Sequence, residues 1–320
     1  DVQNQVIEFA DFPPPAVPDK APEIDMDALE MAARMINEAE RPVLYLGGGV
    51  VSSGASSLAI TLAEQASMPT TMTLMALGAM PMDHPLSIGM LGMHGARHTN
   101  FVLEEADLLV VVGARFDDRA IGRAASFCPN AKVVHIDIDR SELHKIKTAH
   151  VGLHSDVRTA LEALLPRVKV TLREHWLSHV ESLKQRFPMQ LPGADDPRTH
   201  YGLVQAVASV LDDSAVITTD VGQHQMWVAQ AYPFRRPRQW LTSGGLGTMG
   251  FGMPAAIGAA LAEPERTVVC FSGDGSFKMN IQELATLAGT DYDLVRKDGT
   301  TVKVKGASII TVDENGRLPA

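Results

Sequence analysis

One junction recurs along this chain and limits what it can fold into. The apolar runs PVLYL before Gly47, LLVVV before Gly113, VVHI before Asp137 and VVCFS before Gly273 each stop at a glycine or an acid. A run that is apolar at every position has no solvated face, so such strands need cover on both sides of a sheet. The segments MDALEMAARMINEAE, LAITLAEQA, TNFVLEEA and DVRTALEALLPRV carry apolar residues at helical spacing and supply that cover. Strand and helix in alternation predict an α/β fold, with a doubly wound parallel-sheet domain over residues 26–168. All strands of such a sheet end on one edge, and ligands sit at that edge.

Around this domain the pattern changes. ADFPPPAVPDKAPEID is Pro-rich and reads as part of an extended linker, residues 1–25. Residues 169–200 are more polar, start helical and end in Pro, Gly and Asp, as a connector does. A second α/β unit spans 201–288, with helix YGLVQAVASVLD, strands SAVITTDVG and RTVVCFSGDGS, and a glycine-rich turn entering a small-residue helix. After Ala288 the period becomes that of strands. Val302 and Val304 alternate with Lys303 and Lys305, and KDG and DENG are turn signals, so residues 289–320 are expected to form an antiparallel, hairpin-like meander. That would leave the second sheet with an open edge and a tendency to self-associate.

Charge and cysteine usage narrow the partners. The 38 Asp+Glu outnumber the 28 Lys+Arg, and a net charge of −10 disfavours nucleic acid and anionic membranes. No segment is apolar enough to span a bilayer, so a cytoplasmic setting is expected. Cys128 and Cys270 lack CxxC spacing and read as buried thiols. A start without Met suggests that the chain begins inside a longer protein.

Six motifs carry chemistry. GGGVVSSGASS, from Gly47, lets backbone approach a phosphate or adenosine at a strand end, although the same glycines suit a tight strand-to-helix turn. GARFDDR, from Gly113 to Arg119, gathers two Arg and two Asp after a strand; Arg pairs with phosphate and Asp accepts from hydroxyls. In HIDID, Asp137 stands where an acid commonly meets an adenosine ribose, so a dinucleotide is the economical ligand. In the second unit, TTDVGQHQMW and SGGLGTMGFGMPAAIGA offer glycines and backbone N–H groups to anions. SGDGS presents Asp274 in a Gly-flanked turn, where a carboxylate can hold a cation already bound to a diphosphate.

With RPVLYLGGGV, GMLGMHG, GARFDDR, TTDVGQHQMW and SGGLGTMGFGMPAAIGAALA in this order, the chain as far as NIQELATLA resembles the catalytic subunit of acetohydroxyacid synthase (acetolactate synthase), bacterial type. The resemblance implies a transferase of valine and isoleucine biosynthesis that uses thiamine diphosphate, FAD and magnesium (Mg2+). Such an enzyme decarboxylates pyruvate and joins the fragment to a second 2-keto acid, pyruvate or 2-ketobutyrate. It implies a central FAD-binding domain, with Gly47, Gly48, Thr73, Leu91, Gly92, Met93, His94, Arg115, Asp117, Arg119, Asp137 and Asp156 at FAD positions, joined by Gln225 and Met226. It implies that Val221, Gln223 and His224 meet thiamine diphosphate, that Gly247 and Met249 shape its bend, and that Asp274 binds Mg2+ with Gly275 and Ser276 at the diphosphate. It further implies a homodimer, each cofactor lying between two subunits, and a regulatory small subunit.

The chain departs from that family in two places. The amino-terminal domain with the glutamate that activates the cofactor is absent, and no HE dipeptide occurs. The NN pair whose Asn completes the Mg2+ shell is also absent, and Asn280 lies too close to Asp274 to replace it. A truncated thiamine-diphosphate-binding domain with no catalytic residue of its own is therefore expected, inactive alone or active beside a complementing chain. The alternatives are an FAD-binding interaction module and a related carboligase such as glyoxylate carboligase. Residues 289–320 faintly resemble hairpins of the SnoaL-like, nuclear-transport-factor-2-like fold, and unrelated sequence joined at Ala288 is the preferred reading.

Overall fold

The computed structural model describes residues 22–288 and, beyond them, the backbone of three short strands at 293–295, 301–303 and 308–312. Helix α1 (Met26–Glu38) begins where the Asp25 carboxylate accepts the Asp27 and Ala28 N–H groups, each at 3.0 Å. It buries Leu29, Ala32, Ala33 and Ile36. There follow β1 (Pro42–Leu46), α2 (Gly48–Ser52), α3 (Ser56–Gln65), β2 (Thr70–Met72), β3 (Ser87–Met90), α4 (Arg97–Glu105), β4 (Leu108–Val112), α5 (Asp118–Ile121), β5 (Lys132–Asp137), β6 (Val151–His154) and α6 (Val157–Leu164). The six strands form one parallel sheet in the order β3-β2-β1-β4-β5-β6. Strands β1 and β4 are buried at every residue, as their unbroken apolar sequence requires. The chain steps outward in one direction from β1 to β3 and in the other from β4 to β6, so the sheet has its switch point between β1 and β4.

Helix α7 (Glu174–Arg186) packs against α4. Just before it, the buried Arg173 guanidinium donates to the carbonyls of Ile36, Ala39 and Ala66, which end α1 and α3. The connector is thus fastened to the first domain. The second domain comprises α8 (His200–Val210), β7 (Val216–Thr219), α9 (Gln223–Ala231), β8 (Trp240–Thr242), α10 (Gly252–Ala262), β9 (Val268–Gly273), α11 (Asp274–Met279) and α12 (Glu283–Ala288). The two domains share one continuous apolar core, in which Leu46 and Met72 of the first belong with Val228, Phe234 and Phe271 of the second. They are also tied by Met82 N–H donating to the Phe234 carbonyl at 2.9 Å and by Arg235 reaching Asp83 at 3.1 Å.

The expected meander is corrected in part. Strands β10 (Asp293–Val295) and β11 (Thr301–Lys303) do pair antiparallel. Strand β12 (Ser308–Val312) instead lies parallel to β9, Ser308 opposite Val269 and Val312 opposite Gly273, giving a sheet of order β12-β9-β7-β8. The β9 edge expected to be open is covered. The run SIITV is rich in β-branched residues and suits a parallel strand as well as a hairpin arm. The turn signals at 297–299 and 313–316, Val304, Lys305, and the linker up to residue 21 lie outside the described residues.

Among the described residues no helix is long and apolar enough to cross a membrane. Cys128 and Cys270 are both free and buried, and burial pushes each thiol up to about 12.

Candidate functional site

At the carboxyl edge of the first sheet a cleft of about 1090 Å³ opens between the domains. That is slightly above the usual range for small-molecule sites, about 300–1,000 Å³. Its floor is the switch point: the β1–α2 turn at Gly47–Gly49 and the β4 end at Gly113–Arg115. These backbones touch. A Cβ on Gly47 would stand 2.1 Å from the Gly113 carbonyl oxygen, and one on Gly49 would stand 2.7 Å from the Gly113 Cα. Two of the three glycines are therefore demanded by packing of chain on chain, whereas Gly48 meets nothing nearer than the Met75 Cβ at 3.2 Å.

Charged groups divide the cleft. Arg115 and Arg119 line it, and neither guanidinium has a partner among the described residues. Asp117, Asp137 and Asp156 also line it, and each commits Oδ1 to the backbone: Asp117 to Arg119 N–H, Asp137 to Asp139 N–H, Asp156 to Thr159 N–H. The second oxygen of each takes no hydrogen bond from the described residues, so three carboxylates are braced with an acceptor to spare. The Thr73 hydroxyl, on the cleft wall, is buried and unpartnered. Leu91 and His94 join them, while Gly92 and the exposed Met93 do not line it; Gly92 pairs with Asn100, and Met93 N–H donates to the Arg119 carbonyl.

The second domain closes the cleft with Val221, Gln223, Gln225, Met226 and Gly247. Gln225 is buried and donates to Thr242 at 2.8 Å, so its amide serves the β7–β8 junction as well. Met249, Asp274, Gly275 and Ser276 are not part of the cleft wall but sit close to it. The Ser276 hydroxyl faces the Val221 carbonyl at 3.4 Å, and a Cβ on Gly275 would lie 3.2 Å from the Met249 Cε. His224 is buried, with Gly222 and Gly273 so near that a Cβ on either would come within 3.0–3.2 Å of its ring. Burial lowers its pKa against the pull of Asp220, and its Nε2 has no partner. Asp274 is exposed at the first turn of α11, and among the described residues no three His, Cys, Asp or Glu side chains gather to hold a metal. Asn280 is engaged elsewhere, its amide donating to the Gly250 carbonyl.

Sequence reasoning missed Asp220. It is 1 % exposed, and its carboxylate accepts Gly252 N–H at 2.8 Å and the Ser272 hydroxyl at 2.5 Å. One side chain thus ties together the end of β7, the start of α10 and the end of β9. Its signal was an acid directly after a buried strand, in TTDVG. Tyr201 and Gln230 were also missed, being cleft residues on helices with no glycine motif to mark them, and Trp227, at the end of the TTDVGQHQMW motif, was not singled out.

Residues 29–164 match the central domain of the thiamine pyrophosphate enzymes, and residues 220–295 match their C-terminal TPP binding domain. The chain is 60 % identical over 294 residues to the acetolactate synthase isozyme 1 large subunit of Escherichia coli, covering 92 % of this chain and 52 % of that protein. The chain belongs to the acetolactate synthase branch of the thiamine pyrophosphate enzymes. Within that branch it is also 45 % identical over 260 residues to the isozyme 2 large subunit of Escherichia coli, covering 81 % of this chain and 47 % of that one. Against the chloroplastic acetolactate synthase of Arabidopsis thaliana it is 44 % identical over 265 residues, covering 81 % and 39 %. It spans about half the length of the two Escherichia coli proteins and less of the Arabidopsis one. Its TPP binding domain is the one that holds Val221, His224 and Gly247, and its central domain supplies the floor of the cleft.

Proposed function

We propose that this chain is the flavin- and diphosphate-binding part of an acetolactate synthase large subunit, acting on pyruvate and a second 2-keto acid. The observation that carries the proposal is the cleft itself, set at the switch point and walled by both domains. FAD fits it. Arg115 and Arg119 face a diphosphate, the spare oxygen of Asp137 suits a ribose hydroxyl, and Thr73 has an unspent hydroxyl. Met75, Leu91 and Met226 offer apolar surface to a ring system.

Thiamine diphosphate, when bound, supplies the electron sink for loss of CO₂ from a 2-keto acid. The residues gathered around Val221, Gly247, Met249, Gly275 and Ser276 are proposed to hold it, with the unpartnered His224 Nε2 beside them. Gly247, at φ +66°, bends the chain there as a residue with a side chain rarely does. For Mg2+ the fit is incomplete: Asp274 offers one carboxylate, and among the described residues no three His, Cys, Asp or Glu side chains gather around an ion. No acid among the described residues is placed to activate the cofactor, so turnover is proposed to need a segment outside these residues that brings it. A homodimeric parent enzyme, a regulatory small subunit and a cytoplasmic setting belong to the same proposal.

Protein purified with FAD is expected to keep flavin absorbance through gel filtration, at about one flavin per chain. It is expected to form no acetolactate from pyruvate, thiamine diphosphate and Mg2+ until a chain carrying the relatives' amino-terminal half is added. Colourless protein would overturn the flavin assignment, and acetolactate made by the 320-residue chain by itself would overturn the need for a partner.

A further inference from the structure

Three residues on the cleft wall form a hydrogen-bonded line from the second domain to the first. Tyr201, on α8, donates its hydroxyl to Gln230 Oε1 at 2.8 Å. Gln230, on α9, donates through Nε2 to the His94 carbonyl at 2.9 Å. The amide orientation is fixed by chemistry, because a backbone carbonyl can only accept. The line continues inside the first domain, where Met93 N–H donates to the Arg119 carbonyl at 3.0 Å. The turn at 91–95 is braced from behind as well: Asn100 bonds both the N–H and the carbonyl of Gly92, at 3.0 and 3.1 Å. Packing is just as tight, for a Cβ on Gly92 would meet the Arg119 carbonyl oxygen at 2.5 Å. The turn and the segment bearing Arg119 therefore move as one body, and Gln230 fastens that body to the second domain.

We infer that Gln230 is a positioning residue: by holding the His94 turn it sets where Arg119 stands over the diphosphate of the bound dinucleotide. The inference rests on the cleft being the flavin site. Two other hydrogen bonds between the domains, Met82 to Phe234 and Arg235 to Asp83, lie away from the cleft wall, so they anchor one side while Gln230 supplies a hydrogen bond on the side that must admit the ligand. A residue acting this way affects ligands that carry a diphosphate and spares those that do not.

The variant Gln230→Glu separates the two halves of the line, since a carboxylate still accepts from Tyr201 but has nothing to donate to His94. Stopped-flow fluorescence is expected to show FAD leaving Q230E about tenfold faster than the parent, the worth of one lost hydrogen bond. Riboflavin, which lacks the diphosphate, is expected to bind both proteins equally. Tyr201→Phe, which frees the amide without introducing charge, is expected to speed FAD release by less. Hydrogen exchange at residues 91–95 in ligand-free protein reports the latch independently of any flavin, and should be faster in both variants. Equal FAD release in parent and Q230E, or riboflavin weakened as much as FAD, would overturn the inference. Unchanged exchange at 91–95 would do so too. A parent that binds no flavin yet shows faster exchange in Q230E would sink the flavin reading and leave the latch standing.

Discussion

Met75 of the first domain presses its thioether onto Gly244 of the second, so closely that a Cβ on Gly244 would lie 2.2 Å from the Met75 sulfur. Both residues line the cleft. Gly244→Ala must push the flexible end of Met75 aside, into the space proposed for the ring system. The fold is expected to lose about 1–2 kcal/mol by urea denaturation, as overpacking does. FAD affinity, measured by fluorescence quenching, is expected to fall.

The glycine turn sorts packing from binding. Gly47→Ala drives a methyl into the Gly113 carbonyl and the Ala114 Cα, at 2.1 and 2.4 Å, and backbone cannot step aside as a side chain can. A loss of about 3 kcal/mol or more is expected, or no folded protein. Gly48→Ala is expected to unfold at close to the parent's urea midpoint, and flavin titration then reports its effect on the site.

Arg173 ends two helices at once. Arg173→Ala leaves the carbonyls of Ile36, Ala39 and Ala66 without this donor, and a destabilisation of about 2–4 kcal/mol is expected in chemical denaturation. Arg173→Lys, with no planar fork, is expected to recover only part of it.

Stability should rise with pH through the histidine range. Burial holds His135 below its usual 6.5; the Ala114 carbonyl, Asp137 and Glu142 oppose the shift, and His144 adds to it. As pH falls, the unfolded chain takes up the proton first. The stability from burying a neutral ring is therefore complete above about 6.5 and lost as pH drops toward the folded-state value. His224, lowered mainly by burial, acts with the same sign. The urea midpoint between about pH 5 and 8 should climb with pH, and less steeply in His135→Gln, which can still donate to the Ala114 carbonyl.

Deleting residues 305–320 removes β12 and bares the N–H and carbonyl groups of β9 along Val269–Gly273. Unpaired edges recruit other strands, so the shortened protein is expected to elute from gel filtration as oligomers. An unchanged elution volume would show that β12 is dispensable as an edge cover.

What the sequence disclosed followed element length and local rules. Strands β1, β4, β5 and β9 announce themselves through five or six residues apolar enough to need two covered faces. Strands β2, β3, β6 and β8 have three or four residues, too few for a period, and SIGM, VGLH and WLT were not visible as strands. Helix α9 was hidden because QHQMWVAQA mixes polar and apolar residues without a clean stripe. The glycines and charges of the cleft were visible because turns and phosphates demand those residue types locally. Asp220 and Gln230 were not, since their roles come from partners 32 and 136 residues away. The tail misled for a related reason: alternation fixes a strand's faces but does not name its neighbour, and β12 chose β9.

The shared wall of the cleft also bears on how the protein comes apart. A ligand gripped by Arg115 on one side and Val221 on the other adds its binding free energy to the docking of the two domains, by RT ln(1 + [L]/Kd). Heated empty, the halves are free to melt separately wherever their own stabilities differ. Heated full, they are bound to a common fate, and a calorimeter would record the change as two endotherms merging into one.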